Sequence, residues 1–219
     1  MSHNLPPRTL DRILIAAESL FAEHGFDGTT LRQITREANV NLAAVNYHHG
    51  DKESLYLEII RRRIQPINKT RLARLTEVEA EVGDRPVPIN VLFQVLAEPI
   101  FGLFGDADTQ GRYSARLLGR SLVEPLPFME KFLADEFQPV MARFGQALRR
   151  HEPTLPPEDF LWRYSFVVGA MLHTLATLHR MKFLTRGICR DNDQAAALSR
   201  FVQFATDVFR PGLPFAGLR

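Results

Sequence analysis

The chain has 219 residues, 45% of them hydrophobic and 24% charged, with 27 Lys and Arg against 25 Asp and Glu. Such a composition suits one or two globular domains with a sizeable core. Its one cysteine, Cys189, excludes an internal disulfide framework and a four-thiolate metal site. The opening MSHNLPPRTL lacks the apolar core of a secretory signal. No apolar run nears the roughly 20 residues that span a bilayer. A cytoplasmic protein with no membrane partner is expected.

After a polar arm at residues 1–8, Thr9 caps a helix whose apolar positions include Leu10, Ile13, Leu14, Ala17, Leu20 and Phe21, with His24 last and Gly25 ending it. A second helix follows, with Thr30 as its N-cap and Leu31, Ile34 and Ala38 on one face. The turn Ala38-Asn39-Val40-Asn41 puts Asn39 where a left-handed backbone is needed, which Asn tolerates. Asn41 then caps a short third helix, held to the core by Val40 and Val45. Leu42, Ala43, Ala44, Asn46, Tyr47 and His48 are left facing outward, a slim and largely uncharged surface of the kind that enters a DNA major groove.

Asp51 caps a long helix from Lys52 to about Val82, with a stripe of Leu55, Tyr56, Ile59, Ile60 and Ile64 that resumes at Ile67, Leu72, Leu75, Val78 and Val82. Pro66 interrupts this stripe and either kinks the helix or breaks it. Further helices are expected over 89–104, 113–123, 128–150 (with Pro139 inside), 160–184, and after RGICRDND. The 160–184 segment is apolar nearly all round and should be covered on every face. No alternating strand pattern occurs. The expected fold is all-α, with a helix-turn-helix domain over 1–51 and a larger helical domain over 52–219.

The segment from Ala16 to Leu57, AAESLFAEHGFDGTTLRQITREANVNLAAVNYHHGDKESLYL, resembles the N-terminal domain of TetR/AcrR-type transcriptional regulators. The matching pieces are the first helix, the TT-x-R-x-I run and VNYHHGDKESL. This resemblance implies a homodimeric repressor of double-stranded DNA, with a palindromic operator and a small-molecule effector. It implies that Arg32 reaches a base or a nearby phosphate, that Leu42, Ala43 and Ala44 face bases, and that Tyr47, His48 and Lys52 hold phosphate. Thr29, Thr30, Asn41 and Asn46 complete the expected contacts, the threonines and Asn41 serving as donors, helix caps or both. The chain departs from the family pattern at Asn39 (commonly Gly), Ala44 (Thr or Ser), Asn46 (Tyr) and His49 (an aromatic), so hydroxyls expected at 44 and 46 are absent. NLAAVNYHHGDK also resembles a subgroup in which some members respond to fatty acids or acyl thioesters.

The first 63 residues carry eight Lys/Arg and eight Asp/Glu, so this head binds phosphate with few cations and with neutral donors, if it binds DNA at all. By the same resemblance an effector cavity lies among Phe93, Leu96, Phe104, Phe132, Phe137, Trp162 and Phe166, with Tyr113, Arg116, Arg120 and His173 as polar anchors. Val168, Leu172, Leu175, Phe201, Ala205 and Val208 are the expected dimer contacts, two helices from each copy forming a four-helix bundle. Singly, each of these aromatics reads more readily as plain core than as pocket lining. No cofactor or metal site is expected: His173 and His179 are six apart, off one helical face, with no acidic partners. GRSLVE lacks the closing glycine of a nucleophile elbow, and no enzyme is expected. The alternative function is a helical small-molecule sensor or carrier that does not bind DNA.

Overall fold

Periodic burial, helix caps and proline or glycine breaks divide the chain into helices, as the sequence pattern predicts. The computed structural model describes residues 9–103, 109–189 and 194–210, and all regular structure among them is helical. The helices are α1 (Thr9–His24), α2 (Leu31–Glu37), α3 (Leu42–His49), α4 (Lys52–Val82), α5 (Ile89–Leu103), α6 (Thr109–Ser121), α7 (Pro127–Arg149), α8 (Pro157–Leu184) and α9 (Gln194–Val208). Pro66 does not break α4, which runs uninterrupted through it. Phe104, the expected end of α5, lies outside the described residues.

The chain forms two compact units, residues up to 65 together with 107–133, and residues 66–106 together with 134–219. The unit holding the helix-turn-helix therefore extends beyond residue 51. It takes in the first part of α4, all of α6 and the start of α7.

In the first unit α1 buries Ile13, Leu14, Ala17, Phe21 and Ala22. An aromatic group fills the space below: the Tyr56 ring stands edge-on to Phe21 at 5.0 Å and to Phe26 at 5.3 Å, and Phe128 meets Phe26 at 4.8 Å. Such pairs add about 0.5–1.5 kcal/mol each beyond area burial. Burial pushes the Tyr56 phenol above its ordinary range, with Glu124 adding to the effect and Arg120 opposing it. Glu18 sits on the same buried face of α1 at 2% exposure. Arg63 of α4 donates to both its oxygens, at 2.7 and 2.5 Å, and the Ser114 hydroxyl of α6 donates at 2.8 Å. Gly25 ends α1 at φ +76°, and a Cβ there would run into the Arg120 guanidinium. The left-handed backbone is what calls for glycine here.

In the second unit α5 and α9 face each other through Phe93–Phe209 and Phe101–Phe201, with ring centroids 5.3 and 5.8 Å apart. Phe160 of α8 joins Phe209 at 5.7 Å and lies along Tyr164. Arg163, at 2% exposure, donates to Glu152 at 3.0 Å and more distantly to the Val208 carbonyl. Helix α8 departs from its expected coverage. Leu161, Trp162 and Phe166 are 54, 53 and 48% exposed, and among the described residues nothing covers that side.

At the N-terminus of α4, Asp51 Oδ1 accepts from the Ser54 amide at 2.7 Å. That bond holds the Asp51 carboxyl below its ordinary pKa. Asp51→Ala should cost about 1 kcal/mol in urea unfolding at neutral pH. A depressed acid contributes its stability above the unfolded-state pKa, so the difference from wild type should vanish as pH falls through the folded-state value.

Candidate nucleic-acid interface

Helix α2 opens with a reciprocal cap: the Gln33 amide donates to Thr30 Oγ1 at 3.2 Å, and the Thr30 amide donates to Gln33 Oε1 at 2.7 Å. Ile34 is fully buried and fixes the rotation of α2. The turn then reverses at Asn39, whose φ of +50° is the left-handed conformation expected of it. Asn41 Oδ1 accepts from the Ala44 amide at 2.8 Å and starts α3. Val45 is fully buried and pins the helix. With Val45 inward, α3 turns out Leu42 at 42% exposure, Ala43, and Tyr47 at 86%, while Ala44 is half-buried at the margin. The Asn46 and His48 side chains lie outside the described residues. Thr30, Arg32 and Asn41 are exposed on the same motif.

Of the expected DNA contacts, Thr29 is internal and Lys52 is half-buried with two backbone partners. Thr29 is fully buried, and its hydroxyl donates to the Gly25 carbonyl at 2.8 Å and to the Leu20 carbonyl at 3.1 Å. It terminates α1 and has no surface to offer a phosphate. Lys52 Nζ donates to the Phe26 and Thr29 carbonyls at 3.0 and 3.1 Å and sits 4.1 Å from the Phe26 ring centroid. A cation that satisfies two loop carbonyls and an aromatic face holds the α1–α2 loop, where a phosphate-binding role was expected. Arg61 and Arg62 are engaged by Glu58. Burial alone would raise the Glu58 carboxyl, yet the two guanidinium groups hold it below its usual range. Arg32 and Arg36 remain as exposed cations of α2.

The expected effector residues fall in both units. Tyr113, Arg116, Arg120 and Phe132 belong to the first unit; Phe93, Leu96, Phe137, Trp162, Phe166 and His173 belong to the second. Tyr113 donates to Glu23 at 2.9 Å, Arg120 is paired with Glu124, Phe132 lies under Arg61, and Arg116 is exposed. Phe93 and Leu96 are buried core, Phe137 is half-buried, and Trp162 and Phe166 stack on each other in the open at 5.7 Å. His173 lines an apolar groove of about 800 Å³ between α8 and α9, with Thr174, Thr177, Arg200, Phe201 and Phe204. The expected dimer residues differ in burial. Leu175, Phe201 and Ala205 are at most 5% exposed, being consumed by packing inside the unit, and Val168, Leu172 and Val208 are half-buried. Among the described residues no cluster of His, Cys, Asp or Glu has metal-binding geometry, and no helix is long and apolar enough to cross a membrane.

Sequence reasoning missed Gln33, Glu18 and the inward role of Lys52. Thr30-x-x-Gln33 is the capping-box spacing and was legible. Glu18 stands four residues after Leu14 and three before Phe21 on the buried stripe of α1, which marks it as a paired charge. Lys52 had no local signal, because its partners lie 23 and 26 residues away. Lys52→Met should therefore lower the unfolding free energy by about 2 kcal/mol, the scale of charge-assisted bonds. A thermal or urea melt without DNA reads this directly.

Two family descriptions match the chain: "Bacterial regulatory proteins, tetR family" over residues 13–59, and "Tetracyclin repressor-like, C-terminal domain" over residues 94–207. The chain is similar to the HTH-type transcriptional repressor AcnR of Corynebacterium glutamicum, 30% identical over 112 residues, which are 51% of this chain and 49% of that protein. It is also similar to the biofilm operon icaADBC regulator IcaR of Staphylococcus epidermidis, 44% identical over 46 residues, 21% of this chain and 25% of the relative. The matches thus span half or less of these relatives' lengths. Among solved structures, the fatty acid degradation regulator FadR from Bacillus halodurans superposes with a TM-score of 0.65 at 13% identity, over 94% of this chain and 100% of that one. The SmeT–triclosan complex superposes with a TM-score of 0.59 at 20% identity, over 97% and 100%. These likenesses establish the fold. Because the C-terminal description alone covers just over half of the residues and the helix-turn-helix description covers the reading motif, this chain belongs to the TetR family of bacterial regulatory proteins.

Proposed function

We propose that this chain is a cytoplasmic, homodimeric, DNA-binding repressor that leaves a palindromic operator when a small, largely apolar effector of acyl type occupies its second unit. The observation that carries this reading is the outward face of α3, where Leu42, Ala43 and Tyr47 project from a helix anchored by Val45. Methyl and aromatic groups on a slim helix can meet thymine methyls at the floor of a major groove, while Arg32 can fork onto guanine. Both curated relatives carry negative regulation in their names, AcnR as a transcriptional repressor and IcaR as a negative transcriptional regulator. No catalytic step forms part of this role.

One helix-turn-helix reads a short site, so affinity calls for two heads related by a two-fold axis. We assign the dimer face to the uncovered residues of α8 and α9, namely Leu161, Trp162, Phe166 and Phe204, in place of the buried Leu175, Phe201 and Ala205. Side chains this apolar and this exposed on adjacent helices are characteristic of an interface. An effector releases DNA only to the extent that it binds the non-binding arrangement of the dimer more tightly.

The electrically balanced head and the internal role of Lys52 favour, as a second function, a helical sensor that does not bind DNA. Fluorescence anisotropy with the DNA upstream of the protein's own gene separates the two. Wild type should bind, and Ala43→Glu should bind at least tenfold more weakly with its melting temperature unchanged, since the site is exposed. Arg32→Ala should lose discrimination against scrambled DNA, by roughly 1–3 kcal/mol. Absence of binding by wild type, or equal binding by Ala43→Glu, would overturn the repressor function.

A further inference from the structure

Arg71 lies in the interior of the second unit at 2% exposure, and no carboxylate accompanies it among the described residues. Its Nε donates to the Leu96 carbonyl of α5 at 2.7 Å, and Nη1 donates to Asn68 Oδ1 at 3.1 Å. Asn68 in turn donates to the Glu136 carbonyl of α7 at 2.8 Å. Nη2 is buried and meets no acceptor. Among the described residues, Tyr164 of α8, 8% exposed, is the titratable group coupled to the Arg71 charge. Burial pushes the guanidinium down to about 10, Tyr164 opposing, so Arg71 stays charged at neutral pH. It therefore sits where α4, α5, α7 and α8 converge.

A buried cation with one face unpaired is costly, because its desolvation is repaid only by an opposite charge in good geometry. The same unit contains the contrasting case: Arg163, equally buried, has Glu152 as its counter-ion. Arg71 instead has two neutral acceptors. Pro99 lies in α5 beside this point, and its missing N–H loosens the carbonyl ladder next to Leu96. Tyr164, the aromatic residue coupled to this charge, stacks on Phe160, which meets Phe209, which meets Phe93, an apolar layer of the same unit. One charged donor against an aromatic wall is the composition of a site for an amphipathic anion.

We propose that Arg71 is the anchor for the effector's anionic head, and that the effector is a monocarboxylate whose apolar body lies against the Phe93–Phe160–Tyr164–Phe209 layer. This deepens the acyl-effector function and rests on it. The carboxylate supplies the acceptor that Nη2 lacks, and its binding compensates a charge that the apo protein leaves without a counter-ion. The anchors drawn from sequence, Arg116 and Arg120, lie in the other unit, and Arg120 is held by Glu124.

Isothermal calorimetry of the full-length chain with octanoate and with octanamide, its neutral isostere, tests this. Wild type should prefer octanoate by tenfold or more. Arg71→Met keeps an unbranched apolar stem, removes the charge, and should bind the two equally. Arg71→Lys keeps the charge without the fork and should retain part of the preference; it decides the matter should the methionine variant fail to fold. An octanoate preference that survives in Arg71→Met, or that is absent in a folded Arg71→Lys, would overturn the anchor while leaving an acyl effector standing. Failure of wild type to bind either amphiphile would overturn both.

Discussion

A carboxylate taken out of water must be met by charge and by hydrogen bonds, and the first unit is arranged around one such requirement. Glu18, on the inward face of α1, receives both nitrogens of the Arg63 fork and the Ser114 hydroxyl. Those three residues belong to α1, α4 and α6, so a single charge fixes three helices whose apolar surfaces alone would tolerate sliding. Because α1 also packs on α2 and α3, the direction in which α3 points follows from where Glu18 is held. Lys52 acts in the same sense at the other end of the motif, tying the loop between α1 and α2 to the start of α4.

Helix α4 is the element common to every part of this account. It begins at the Asp51 cap, gives Lys52 and Arg63 to the first unit, crosses Pro66 without a break, and gives Asn68 and Arg71 to the second. The boundary between the compact units falls between Gln65 and Pro66. Proline there removes one intrahelical bond, so the backbone is least constrained where the two units meet along the chain. The proposed function requires occupancy of the second unit to alter the first, and a shared helix that lacks one intrahelical bond is a physical means of doing so.

Much of this was legible because it is local. The caps at Thr30, Asn41 and Asp51, the left-handed Asn39 and the terminal Gly25 each follow from the chemistry of two to four neighbouring residues, and each is found. The outward face of α3 followed from Val40 and Val45. What failed was non-local. The hydroxyl of Thr29 and the ammonium of Lys52 looked available because their carbonyl acceptors come from folding. The aromatic residues of α5 and α8 were grouped as one cavity, yet composition does not say which face of a helix is spent on core and which remains open, as Trp162 and Phe93 illustrate. Arg71 was overlooked though its signal was present: it falls at the spacing of Ile60, Ile64, Ile67 and Leu75, the buried stripe of α4. A charge on an apolar stripe asks for a counter-ion, and the neighbouring turns of α4 offer the neutral Asn68 in its place.

The central claim is that DNA is read by α3 as it stands in this fold. Hydrogen–deuterium exchange on the full-length chain, with and without a duplex selected from random-sequence DNA, measures it most directly. The account predicts slowed exchange over residues 30–32 and 42–49 on adding the duplex. Protection confined to α8 and α9, or none within α3, would contradict it.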